Sequence, residues 1–121
     1  MHATFAGCSK LVKAPNIPNG VEDMSLTFVD CIALSTAPTI IPESVTNLNR
    51  TFLNCSSLTG IININANVKG ILVSEIERDY ENIFYNAVTN DGCKVQLTGT
   101  CSVLQNIIDI SGNANISLLD S

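Results

Sequence analysis

Residues 4–26 read TFAGCSKLVKAPNIPNGVEDMSL, residues 27–50 read TFVDCIALSTAPTIIPESVTNLNR, and residues 51–68 read TFLNCSSLTGIININANV. These are one pattern written three times, with a period of 23 and then 24 residues. Thr4, Thr27 and Thr51 open the units, followed by Phe5, Phe28 and Phe52, then Cys8, Cys31 and Cys55, then Leu11, Leu34 and Leu58. Ala14, Ala37 and Ile61 form a further column, as do Ile17, Ile40 and Ile64, and Val21, Val45 and Val68. One inserted residue near Ile41 accounts for the longer second unit.

A single unit holds too few apolar residues to bury a face alone. Stacked units lay Phe on Phe and Leu on Leu, making one continuous core. A period in the low twenties is that of leucine-rich repeats, with one short strand per unit. The fold class expected is an α/β repeat: a leucine-rich-repeat-like solenoid of three 23–24-residue repeats plus a degenerate C-terminal capping repeat. Within a unit, Thr-Phe-x-x-Cys predicts one short helical turn, with Thr27 capping the amide of Asp30. Strands are expected at Leu11–Ile17, Leu34–Ile40 and Leu58–Asn65. Pro15, Pro18, Pro38 and Pro42 shorten or break the first two, because proline cannot donate to a ladder. Asn49, Asn54 and Asn115 each open a glycosylation-type triplet, but they read as turn asparagines, which tolerate left-handed corners.

Beyond Val68 the pattern changes. Ser74 and Glu77 make a capping box. Ile76, Tyr80, Ile83, Phe84 and Ala87 then fall on one face, predicting an amphipathic helix over 75–87. Phe84 and Ala87 repeat the Phe-x-x-Cys spacing, with alanine in the cysteine place, so a fourth, degenerate unit is expected here. Alternation predicts a strand at 93–97 and another at 114–119, and apolar spacing predicts a helix at 102–110 between them. The organisation is thus three repeats over 1–68 and an atypical repeat with cap over 69–121, within a single domain.

The chain has 121 residues, a net charge of −5 and a charged fraction of 14%. Enough apolar surface exists to collapse against so little charge, which argues against disorder. The acidic balance argues against nucleic acid, which demands clustered Lys and Arg. No apolar run is long enough to span a bilayer, so no membrane insertion is expected. The start shows neither the basic nor the apolar region of a secretory signal.

Chemistry is sparsely supplied. Cys8, Cys31 and Cys55 sit a repeat apart, not at zinc-site spacings, so they read as a buried reduced ladder. Cys93 and Cys101 are the one pair that could bridge, and no disulfide is expected there beside unpaired thiols. The sole histidine, His2, stands at the extreme start, leaving no Ser-His or Cys-His nucleophile pair. Glu75, Glu77, Asp79 and Glu81 surround Arg78 on a solvated helix face. No catalytic residue, metal site or cofactor is expected, and the chain does not read as an enzyme.

The string TF-x-x-C-x-x-L-x-x-(A)P-x-IP-x-x-V-x-x-(M/L) resembles the BspA-like bacterial leucine-rich-repeat surface proteins. The likeness covers residues 4–68 most strongly. It implies a right-handed solenoid, a non-enzymatic role, and adhesion or protein binding at a cell surface or outside the cell. Related repeats also occur in mobile elements, so an intracellular or phage-borne protein that binds and inhibits a host protein is an alternative.

The side chains flanking the leucine column are the candidate partner surface: Lys10, Val12 and Lys13, then Ala33, Ser35 and Thr36, then Ser57 and Thr59. Phe5, Cys8 and Leu11 belong to a unit with no cover before it. That uncapped end is a candidate for self-association, and end-to-end stacking into an oligomer or filament is a second alternative.

Overall fold

Phe5, Phe28, Phe52 and Phe84 lie one over another, with ring centroids 5.5, 5.6 and 5.6 Å apart and planes 3°, 5° and 8° from parallel. This column comes from a computed structural model that describes residues 2–66, 83–89, 92–101, 104–111 and 115–119. Each phenylalanine marks one tier of the chain, and the backbone ties the tiers together beside the rings. Phe5 N donates to Thr27 O at 2.9 Å, Phe28 N to Thr51 O at 3.0 Å, and Phe52 N to Ile83 O at 3.0 Å. Two residues on, Gly7 N donates to Val29 O, Asp30 N to Leu53 O, and Asn54 N to Tyr85 O.

The intervening amides stay within their own tier. Thr27 N reaches Met24 O at 3.2 Å, Val29 N reaches Leu26 O at 3.3 Å, and Cys31 N reaches Phe28 O at 3.1 Å. Alternate amides therefore point along the stack and across the tier. A helix would claim every amide for bonds within its own segment, so the two arrangements exclude each other. The backbone follows suit, with Leu26 at φ 59° and Asp30 at φ 61°. One left-handed column runs Gly7, Asp30, Asn54 and Asn86, residue types for which that conformation is least costly.

The helical turn expected at Thr-Phe-x-x-Cys is accordingly absent from these tiers. Thr27 does not cap Asp30: its hydroxyl donates backwards to Met24 O at 2.7 Å. Thr51 Oγ1 lies 2.8 Å from Leu48 O and 2.9 Å from Met24 O, joining two tiers. Both threonines are fully buried, so their hydroxyls serve carbonyls that water cannot reach.

On the other side of the tiers the described residues form a four-stranded, all-parallel sheet in the order β1 (Ile40–Ile41), β2 (Gly60–Ile64), β3 (Val95–Thr98), β4 (Ile116–Leu118). Register sets Ile40 on Asn63, Ile61 on Gln96, and Gln96 on Ser117. The first unit holds only an isolated parallel bridge on this side, Lys13 with Thr36, and the second adds only a bridge of Thr36 with Thr59 and the two-residue β1. Prolines just beyond those bridges withhold the amides a longer ladder needs. The third unit lacks prolines and gives the longest strand, β2. Gly99 closes against it so tightly that a Cβ there would lie 2.1 Å from Ile64 O.

The expected α/β leucine-rich-repeat-like right-handed solenoid with a helical cap is therefore corrected. Among the described residues the protein is an all-parallel sheet joined by turns, with one eight-residue helix, α1 (Leu104–Ser111). The helix expected over 75–87 lies outside the described residues up to position 82, and Ile83–Asn86 form a turn. β3 and α1 each begin two residues later and end one residue later than the segments expected at 93–97 and 102–110, and β4 lies inside the segment expected at 114–119. No helix among the described residues is long and apolar enough to cross a membrane.

Candidate functional site

Strand alternation divides the sheet into two faces. Ile62, Ile64, Val95, Leu97 and Ile116 are buried in the same core cluster as the phenylalanine column. Their neighbours face outward in rows set by the parallel register. Ile61, Gln96 and Ser117 make one row of exposed residues, with Ile61 56% exposed. Ile40, Asn63 and Thr98 make another, with Ile40 47% exposed. A third row begins with the bridged residues Lys13, Thr36 and Thr59. Because Gly60 pairs with Val95 and Val95 with Ile116, the register carries Lys94 beside Thr59 and Asn115 beside Lys94 in that row. Lys13, Thr36, Thr59 and Lys94 are all exposed. Between the rows lies a shallow depression of about 430 Å³, lined by Gly60, Ile61, Lys94, Gln96, Asn115 and Ser117.

The residues singled out from the sequence divide at this surface. Lys13, Thr36 and Thr59 come together in one row. Val12 is 55% exposed, and its carbonyl accepts the amides of Ser35 and Thr36, so it lies at the start of the same ladder. Lys10 is exposed three residues before Lys13, whereas Ala33, Ser35 and Ser57 are half-buried. Ile40, Ile61, Lys94 and Gln96 were not among the expected face residues. Alternation within Cys93-Lys94-Val95-Gln96-Leu97 carried the signal for two of them, since Val95 and Leu97 turn inward.

Charge is segregated. Glu22 and Asp23 belong to a separate ladder, in which Asp23 is bridged to Asn47. Glu43 adjoins Ser44, whose hydroxyl donates to Val21 O in that same region. Asp30 accepts from Asn54 Nδ2 at 2.6 Å, and Asp109 accepts from Gln105 Nε2 at 2.9 Å on α1. Asp23, Asp30 and Asp109 are thus engaged with side chains outside the sheet rows.

Asp23 closes a local turn, accepting from Ser25 N at 2.8 Å and from Ser25 Oγ at 2.6 Å. Burial works to raise its carboxyl, but these bonds, helped by the charge of His2, hold it below the usual value. Asn47 repeats the device one tier on, accepting from Asn49 N at 2.9 Å.

The structure brings His2 Nδ1 within 2.6 Å of Ser25 Oγ, a contact the sequence did not signal. Serine is the middle member here, and its proton is given to Asp23. A nucleophile needs that proton directed at a base that is oriented in turn by an acid, so the geometry is a turn clasp and not a catalytic pair. All five cysteines are free thiols. Cys31 Sγ donates to Phe5 O and Cys55 Sγ to Phe28 O, each at 3.1 Å. No group of three His, Cys, Asp or Glu side chains among the described residues is arranged to hold a metal ion.

At the start of the stack, Phe5, Cys8 and Leu11 are half-buried and pack on the core. Phe5 and Leu11 border a hollow of about 500 Å³ with Lys13, Ala14, Pro15 and Asn16. The chain matches no protein-family model, and neither a curated protein nor a solved structure is similar enough to it to indicate a family.

Proposed function

We propose that this chain is a non-enzymatic protein-binding module that engages its partner through the outer face of the parallel sheet. One observation carries the reading. All-parallel sheets occur almost exclusively with both faces covered. Here one face is buried in the core cluster that holds the phenylalanine column, while Ile40 and Ile61 on the other face are about half exposed. Exposed apolar side chains interleaved with threonine, glutamine and lysine on a hydrogen-bonded frame are suited to a protein partner, because the frame is ordered before binding. The resemblance of the Thr-Phe-x-x-Cys units to bacterial surface repeats supports a binding role over a catalytic one. End-to-end self-assembly has less support. Phe84, at the far end of the ring column, is 1% exposed and offers no bare ring to the Phe5 of another copy.

A photo-reactive residue placed at Thr36, and separately at Glu43 on the acidic side, tests the proposal in extract of the producing cells. Adducts of one discrete mass at position 36 and none at position 43 are the expected result. Equal labelling at both positions would refute it.

A further inference from the structure

Resting on the sheet face as the binding surface, we infer that its occupant is an acidic polypeptide segment laid in extended form across the strands, with two carboxylates four residues apart meeting Lys13 and Lys94. The chain as a whole carries −5, yet this row runs Lys13, Thr36, Thr59, Lys94 and Asn115, with two cations and no carboxylate. None of the described carboxylates occupies a position in this row. Neither lysine is tied to an acidic side chain among the described residues. The cationic row is therefore unneutralised within the described part of the molecule, in a chain whose net charge is acidic. Such a field selects orientation as well as partner.

The spacing narrows the ligand further. Lys13, Thr36, Thr59 and Lys94 are successive strand positions, so the two lysines stand three strand spacings apart, about 14 Å. An extended peptide advances about 3.4 Å per residue, so residues i and i+4 span the same distance. Those two residues and the one midway between them project to the same side of an extended chain. A segment of the form Glu-x-apolar-x-Glu therefore turns both carboxylates and one apolar side chain to the sheet together. The carboxylates reach the lysines while the apolar residue meets Ile61 in the adjoining row. Nucleic acid does not fit this surface, since two lysines in an acidic protein displace too few counterions.

Titration of the isotope-labelled full chain with the capped peptide SETITES, and with its neutral counterpart SQTITQS, tests the inference. The acidic peptide is expected to shift the amide resonances of Thr36, Thr59 and Ile61 saturably. Its affinity should fall about tenfold or more in the Lys13→Glu, Lys94→Glu double variant, and should weaken as salt is raised. Both lysines are exposed, so the double variant should keep the parent melting temperature, which separates lost binding from lost folding. If the neutral peptide binds as tightly and shifts the same resonances, the face stands as a binding surface and the acidic occupant is refuted. If neither peptide shifts them, the inference falls, and the photo-cross-linking result decides the face independently. Concentration-dependent dimerisation through these residues without peptide would replace the acidic partner by a second copy.

Discussion

The thiol of Cys55 donates to the main-chain carbonyl of Phe28, 3.1 Å away and one tier earlier. That carbonyl also accepts Cys31 N at 3.1 Å, so one oxygen serves both its own tier and the next. The same relation joins Cys31 Sγ to Phe5 O. The repeated cysteine is thus explained by position: a small side chain, buried beside the rings, with a weak donor aimed at a carbonyl that has a second lone pair to satisfy.

Alkaline pH should expose this arrangement. Burial pushes the Cys55 thiol up from 9.0 to about 12, with the nearby Cys31 and Asp30 adding to the effect. Burial raises Cys31 as well. In the unfolded chain these thiols ionise near their ordinary value, while in the fold they stay protonated. Their contribution to stability is therefore complete below pH 9 and is lost as pH rises from there towards about 12. Urea midpoints should fall over that window, and less steeply in Cys55→Ala. Alkylation of the native protein at pH 8 should modify half-buried Cys8 and Cys93 well before Cys31 and Cys55.

The ring column predicts an asymmetry between equivalent residues. Phe28 is fully buried, with a ring stacked on each side. Phe28→Ala should cost about 3–5 kcal/mol, the range for removing a buried aromatic. Phe5 stacks on Phe28 and is half-buried, so Phe5→Ala should cost well under half as much. Chemical denaturation of the two variants measures the difference, and equal losses would contradict the column as described.

Gly99 should not accept a side chain. Its φ is 122°, and a Cβ would press on the Ile64 backbone, 2.1 Å from the oxygen and 2.6 Å from the carbonyl carbon. Gly60, at φ 91°, has nothing within 4 Å of its own Cβ position. Gly60→Ala should therefore cost only the strained backbone, about 1–2 kcal/mol. Gly99→Ala should cost several times more, because β2 must move or Cys101 N must give up its 3.1 Å bond to Ile64 O. Thermal melts of the two variants, read side by side, check the ranking.

Much of the candidate surface was legible before the fold was known. Lys13 and Thr36 stand at one offset within the repeated unit, and equal offsets in stacked units fall in one row; Thr59 stands one residue earlier in its own unit, and the bridge to Thr36 sets that slip. Lys94 was harder to place because the spacing to the fourth unit departs from 23 or 24 residues. Sequence distance alone could not set Val95 against Gly60, whereas hydrogen-bond register does. The contact of His2 with Ser25 carried no sequence signal, since it depends on the first tier settling against the second.

By itself the sequence determined which side chains recur, and hence that Phe5, Phe28, Phe52 and Phe84 could share one column and the cysteines another. A repeated pattern of burial requires only repeated residues. What closed each unit was decided by the tertiary structure. Thr-Phe-x-x-Cys is compatible with a helical turn when a unit is considered alone. Within the stack, alternate amides find carbonyls in the neighbouring tier, and Leu26 and Asp30 turn left-handed to aim them there. Hydrogen bonding between tiers therefore displaced the helix expected within each one. Among the described residues it left an all-parallel sheet with one face buried and Ile40 and Ile61 about half exposed on the other.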